Sequence, residues 1–224
     1  MTALPQPLGA IEFRVRGRVQ GVGFRPTVWR IAHELGLSGE VLNDGEGVLL
    51  RVRGEETLVA TLFEGIKQRL PPLARIDRIE SRHYGGDLPR EFRIADSGGG
   101  GAHTHVVPDA ALCPACAAEL RDRSDRRFRY PFTNCTHCGP RLSIITAIPY
   151  DRATTTMAGF ALCDDCRAEY HSPENRRFHA EPIACPTCGP RAELVALGDT
   201  VPPSRIPGND AADAAATGAR EGGH

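Results

Sequence analysis

No stretch of this 224-residue chain is apolar for anything near the ~18 residues a membrane span needs; the best is Ser143-Ile144-Ile145-Thr146-Ala147-Ile148. No membrane role is expected. The opening Met1-Thr2-Ala3-Leu4-Pro5-Gln6-Pro7 lacks the basic and apolar regions of a secretory signal, so the expected compartment is the cytoplasm. Neither charge is in excess: 27 Lys and Arg face 28 Asp and Glu, a formal net of −1. That balance speaks against a dedicated nucleic-acid binder. At 41% hydrophobic and 25% charged, the chain is not disordered throughout. The first 112 residues also hold no cysteine.

What is present is therefore concentrated. All eight cysteines lie in the second half: Cys113, Cys116, Cys135, Cys138, Cys163, Cys166, Cys185 and Cys188. They form four C-x2-C pairs, a spacing that lets two thiolates of one turn reach a single ion about 2.3 Å away. Without an export signal, disulfides are the weaker reading, and an iron–sulfur cluster is a minor alternative to zinc. Two such pairs complete a tetrahedral S4 site, which is closed to substrate and so structural. Two structural zinc ions are expected.

The stretch is also a repeat of period 50. Cys113 maps to Cys163, Arg127-Phe128 to Arg177-Phe178, and Cys138-Gly139-Pro140-Arg141 to Cys188-Gly189-Pro190-Arg191. Each copy reads as a zinc ribbon too small to hold together without metal. Ligation within each copy is the simpler pairing, and interleaved pairing stays open. His103, His105 and His137 read as surface or flanking groups rather than ligands. Over 106–192, 11 Lys and Arg meet 10 Asp and Glu, and thiolates with two dications leave the stretch net negative. Arg121, Arg123, Arg126, Arg127 and Arg129 thus read as solvated or sulfur-neutralising groups rather than as a phosphate-backbone surface.

Residues 11–95 carry a different pattern. Ile11, Phe13 and Val15 alternate with charged neighbours as a half-buried strand. A glycine-rich turn over 17–25 leads to Pro26 at a helix start, and Gly36 ends that helix. Strands are expected at 39–43 and 47–53 around Asn43-Asp44-Gly45-Glu46-Gly47, then a helix over 55–70 stopped by Pro71-Pro72. Further strands fit 76–83 and 91–94. The order βαββαβ is a ferredoxin-like split βαβ, so the fold class is α+β, followed by two small metal-bound modules.

The first turn holds the candidate chemistry. Gly21 and Gly23 let the main chain curl with N–H groups inward, and the helix beyond adds its positive end. Gln20, Gly21, Val22, Gly23, Phe24 and Arg25 are the candidate phosphate-binding residues. Arg25 closes the nest with a guanidinium suited to two phosphate oxygens. Asn43 by itself reads as turn chemistry; Trp29 and His33 read as packing.

Val15-Arg16-Gly17-Arg18-Val19-Gln20-Gly21-Val22-Gly23-Phe24-Arg25 resembles the signature of the acylphosphatase family. The resemblance implies that the loop binds phosphate, that Arg25 holds it, and that Asn43 orients the attacking water. Arg25 and Asn43 are thus the candidate catalytic residues. With two C-x2-C-x18-C-x2-C ribbons behind it, residues 11–192 resemble the N-terminal part of the HypF-type carbamoyltransferases, the hydrogenase maturation factors. Tyr130-Pro131-Phe132-Thr133-Asn134-Cys135 and Arg176-Arg177-Phe178-His179-Ala180 share in that likeness. It implies hydrolysis of an acyl phosphate, carbamoyl phosphate foremost, and a maturation partner protein. It also implies ATP-dependent carbamoyl transfer toward the cyanide ligands of nickel–iron hydrogenase, by domains beyond this sequence. A free-standing acylphosphatase with a zinc scaffold, and a non-catalytic zinc-ribbon docking module, are the alternatives.

The expected division is an acylphosphatase-like domain over 1–96, a flexible linker over 97–105 around Ser97-Gly98-Gly99-Gly100-Gly101, ribbons over 106–141 and 142–192, and a tail over 193–224. The tail reads as disordered or as the threshold of a next domain, with a weak helix over 211–220. The linker predicts separable halves, the first keeping its phosphate site when the second loses metal.

Overall fold

The computed structural model describes residues 9–99 and 103–193. The tail beyond Glu193, with its expected helix, and linker residues 100–102 lie outside the described residues.

The amino-terminal half is built as β1 (Ala10–Arg18), α1 (Phe24–Glu34), β2 (Ser38–Asp44), β3 (Gly47–Arg53), α2 (Glu56–Gln68), β4 (Arg75–Tyr84) and β5 (Phe92–Ile94). The sheet runs β4-β1-β3-β2-β5, antiparallel except for β5, which pairs parallel with β2. The expected α+β alternation is realised, with α1 beginning two residues before Pro26. Gly36, at φ 63, supplies the left-handed residue that ends α1.

The core is apolar because α1 and α2 bury matching stripes. Val28 and Ile31 from α1, and Val59, Leu62 and Ile66 from α2, meet Val15, Val41, Val48 and Leu50 of the sheet. At ~1.5–3 kcal/mol per fully buried aliphatic side chain, this cluster holds the domain together. The charged residues of the strands make cross-strand pairs: Arg51 bridges Glu12 and Glu40 at 2.8 and 2.9 Å.

The carboxy-terminal half is two similar fingers. Each opens on a cysteine knuckle that caps a short helix, α3 (Pro114–Arg121) behind Cys113 and α4 (Asp164–His171) behind Cys163. The buried centre of the first finger is its cysteines, and that of the second is Cys166 and Cys185 with Ala180 and Ile183. Tyr130, Met157 and Ala184 form a separate apolar contact between the copies. Between the two cysteine-bearing stretches, residues 142–162 run as irregular chain with two 3-10 turns, Arg152–Thr154 and Thr156–Gly159.

The two halves touch one another directly. Gly98 N–H donates to Asn43 O at 2.8 Å and His103 N–H to Gly45 O at 2.7 Å, so both flanks of 100–102 are tied to the β2–β3 turn. Val107 is buried in the core of the first half. Trp29 of α1 meets Phe178 of the second finger edge-on at 5.3 Å, and Arg30 donates to Pro173 O at 2.8 Å. The physical reason lies in the fingers: with so little apolar core of their own, they bury surface against α1 and the loop before it.

Candidate functional site

The loop between β1 and α1 is shaped by Gly21 at φ 70 and Gly23 at φ 82, left-handed conformations that only glycine adopts freely. Gly23 caps α1, and Thr27 N–H closes the first helical turn onto Gly23 O at 3.1 Å. Among the described residues, no protein acceptor takes the N–H groups of Gly21, Val22, Gly23, Phe24 or Arg25. Gln20 is a strut as well as a loop residue. Its Nε2 donates to Asp44 O and Gly47 O, both at 2.7 Å, which fixes the loop against the β2–β3 turn.

Arg25 is buried, and its Nη2 donates to Asp151 at 2.7 Å and to Glu181 at 2.8 Å. Burial works against its charge, but Glu181 and Asp151 outweigh that and hold the guanidinium charged. Among the described residues Nε and Nη1 take no protein acceptor, so that part of the fork is left over. Glu181 is itself buried; burial pushes its carboxyl up against the pull of Arg25. Tyr170 Oη donates to Glu181 Oε2 at 2.9 Å and Arg152 N–H to the same oxygen at 3.1 Å.

Asn43 is fully buried at the end of β2. Its Nδ2 donates to Tyr150 O at 3.0 Å, which leaves Oδ1 without a protein partner among the described residues. The Tyr150 N–H in turn donates to Gln20 Oε1 at 2.9 Å. One residue of the inter-finger segment thus bridges the loop and the strand.

Arg141, the last residue of the first Cys-Gly-Pro-Arg, completes the surround. Its five N–H groups go to five carbonyls: Gly21 O from Nε, Cys138 O and Pro140 O from Nη1, and Cys135 O and Thr136 O from Nη2. Among the described residues no carboxylate pairs with it. A buried positive charge therefore sits against the glycine loop, compensated only by peptide dipoles, and favours an anion there.

Arg25, Arg141 and Tyr150 line one narrow cavity with the loop glycines, and Asn43 and Gln20 are not part of its lining. Gly21, Gly23, Phe24, Arg25 and Pro26 form one wall, and Thr136, Arg141, Tyr150, His179 and Glu181 the other; about 20 Å³ is open to the centre of a water-sized group. Sequence reasoning placed the loop and Arg25 here but missed the facing wall. Burial, with Arg25 and His171 nearby, pushes His179 down to about 3, so it stays neutral.

The eight cysteines gather within each copy, not interleaved. Cys113, Cys116, Cys135 and Cys138 form one cluster and Cys163, Cys166, Cys185 and Cys188 the other, the sulfurs of each within 4.8 Å of one another. Sulfur separations such as 3.8 Å for Cys113–Cys135 and 3.7 Å for Cys163–Cys185 match the ~3.8 Å of a tetrahedral S4 ion site with ~2.3 Å bonds, not a disulfide.

The fingers exchange arginines. Arg127 of the first donates to Glu169 at 2.6 Å and to Ala184 O at 2.8 Å in the second, and Arg126 reaches Cys166 Sγ at 3.2 Å. The mirror set, 50 residues on, is Arg177 to Glu119 and to Asn134 O, with Arg176 to Cys116 Sγ at 3.0 Å. Arg126, Arg127 and Arg176 thus sit against cysteine sulfur, the sulfur-neutralising role among the two expected, while Arg177 pairs with Glu119. Glu119 shows the strength of the pairing: burial would raise its carboxyl, but Arg177 and Arg176 hold it down to about 2.

Residues 11–94 match the acylphosphatase family model, and residues 112–145 and 162–195 match the model described as HypF finger. The chain is 55% identical over 152 residues to the carbamoyltransferase HypF of Rhodobacter capsulatus, covering 67% of this chain and 20% of that protein. It is 42% identical over 87 residues to an acylphosphatase of Archaeoglobus fulgidus, covering 38% of this chain and 97% of that one. A crystal structure of full-length HypF in the phosphate- and nucleotide-bound form superposes with a TM-score of 0.80 at 44% identity, over 89% of this chain and 27% of that one. The chain thus spans about a fifth of the length of the HypF relative it matches.

Proposed function

Since the chain belongs to the acylphosphatase family through residues 11–94 and carries two HypF fingers behind that domain, as the N-terminal part of HypF-type carbamoyltransferases does, we propose that it hydrolyses an acyl phosphate. The observation that carries this reading is the loop Gly21–Arg25: its amides take no acceptor among the described residues, and Gly21, Gly23, Phe24 and Arg25 line the same cavity as the buried charge of Arg141.

The amides and Arg25 neutralise the phosphoryl oxygens as charge spreads over them in the transition state. Asn43 accepts a hydrogen bond from the attacking water. Its Oδ1 is the acceptor because Tyr150 O already occupies Nδ2 and so fixes the amide orientation. The acyl group leaves as a stabilised anion, so no covalent nucleophile on the protein is required. Carbamoyl phosphate is the proposed substrate. In the longer HypF architecture, the carbamate so formed would pass to domains that follow, on the cytoplasmic route to hydrogenase cyanide ligands and a maturation partner protein. Each four-cysteine cluster is proposed to hold one zinc ion as a structural clamp.

The test is turnover of benzoyl phosphate and carbamoyl phosphate. Arg25→Ala and Asn43→Ala should each lose most activity; wild-type rates in both would overturn the assignment.

A further inference from the structure

Tyr150 is held at the site by its main chain, through Gln20 and Asn43, while its phenol makes no hydrogen bond among the described residues. The residue is 4% exposed, and a buried hydroxyl left unpaired costs about 1–3 kcal/mol. The ring lies directly on the phosphate loop: a Cβ added at Gly21 would meet its Cδ1 and Cε1 at 3.2 Å. The absence of a side chain at 21 is thus what admits the ring, and the ring lines the same cavity as Arg25. The other hydroxyl of that lining, on Thr136, is already given to Arg176 O at 3.2 Å. Burial pushes the Tyr150 phenol up, so it remains a proton-bearing donor across the neutral range.

The two ends of an acyl phosphate need different partners. The phosphoryl oxygens have the loop amides and the free nitrogens of Arg25. The oxygen on the acyl side, which must accept the electron pair of the breaking bond, has no donor in the loop. We propose that Tyr150, delivered by the segment between the fingers, is a substrate-contacting residue whose hydroxyl donates to the acyl-side oxygen that leaves with the carboxylate or carbamate. The inference rests on the acylphosphatase reading and assigns its leaving-group end. In the step, the oxygen of water bonds to phosphorus and the bond from phosphorus to the acyl oxygen breaks. The pair stays on that oxygen, and both protons of water end on the phosphate product, which leaves as dihydrogen phosphate and then gives one to solvent. Tyr150 keeps its proton throughout.

Tyr150→Phe, in the full chain with both metals bound, tests this against a series of ring-substituted benzoyl phosphates. One lost donor to a developing anion costs about 10²-fold in kcat, and the loss should grow as the leaving acid becomes weaker. Inhibition by inorganic phosphate should change less than about twofold, since the phosphoryl partners are untouched. Thermal stability should hold or rise, because an unpaired buried hydroxyl has been removed. An unchanged rate and leaving-group dependence would overturn the inference. So would a loss of phosphate inhibition in step with rate, which would move the phenol to the phosphoryl end. A marked fall in Tm or failure to fold would reveal a structural partner for the hydroxyl and overturn it equally. A wild-type chain inert toward every acyl phosphate would instead defeat the underlying reading; an active, Arg25-dependent chain indifferent to Tyr150→Phe defeats this inference alone.

Discussion

Asn43 Nδ2 donates to the main-chain carbonyl of Tyr150 at 3.0 Å, across 107 residues and between two halves that sequence alone treats as independent. The candidate catalytic carboxamide is therefore oriented by the inter-finger segment. The acylphosphatase fold supplies loop and strand; the fingers supply the opposite wall.

Metal removal should for this reason reach the phosphate site. Elemental analysis is expected to find two zinc ions per chain. Stripping them with a strong chelator should release Tyr150, Asp151 and Glu181 from the loop and abolish acyl-phosphate turnover together with finger structure. Retention of full turnover by the apo chain would show that the wall is dispensable.

Asp151 and Glu181 are expected to position Arg25 at some cost in anion affinity. With both carboxylates removed, as Asp151→Ala with Glu181→Gln, kcat should fall by about 10–10²-fold, because a misplaced guanidinium loses its aim. Inhibition by inorganic phosphate should tighten in the same variant, because like charge has been taken from the cavity. Steady-state kinetics with phosphate as inhibitor separates the two effects.

Arg127 lies in the first finger but serves the cysteine cluster of the second. Arg127→Met should weaken metal binding at Cys163, Cys166, Cys185 and Cys188 by about 10–100-fold, the range for outer partners of metal ligands. Arg177→Met should do the same at the other cluster. Competition with a chromophoric chelator in the chain with all eight cysteines, Arg127→Met and Arg177→Met each against wild type, checks this.

Acid should destabilise the cavity wall through His179. In the unfolded chain this imidazole takes a proton as pH falls through ~6.5, whereas the folded one resists until about 3. The sign follows: its contribution is complete above ~6.5 and is lost as pH falls toward 3, at no more than ~1.4 kcal/mol per pH unit. His179→Asn should flatten that slope. Asparagine tolerates the left-handed backbone at φ 51, so the difference between the two denaturation series from pH 6.5 to 4.5 isolates the imidazole.

The elements of the first half were legible because each is specified locally. Alternation marks β1, the Val28-Ile31 spacing marks α1, and Gly21, Gly23 and Arg25 sit within one turn of chain. The cysteine clusters were legible from spacing, since C-x2-C fixes two sulfurs per knuckle. The cavity's second wall was not, because Arg141, Tyr150, Asp151 and Glu181 act on partners more than 100 residues away. One signal was available. Where the first copy has Pro131, the second has Glu181, a charge introduced at the repeat position that faces Arg25. A departure from internal symmetry marked a contact that periodicity could not. The inter-finger segment carried no such mark.

The crossed arginine pairs have a consequence for how the two ions come and go. Each finger lends its partner the cations that make four thiolates tolerable, so an empty cluster leaves the loaded one short of a stabilising neighbour. Half-filled molecules should be scarce at intermediate zinc supply, and titration should show steep, concerted filling rather than two independent steps. Duplication has here turned a pair of weak clamps into a single interlocked buckle.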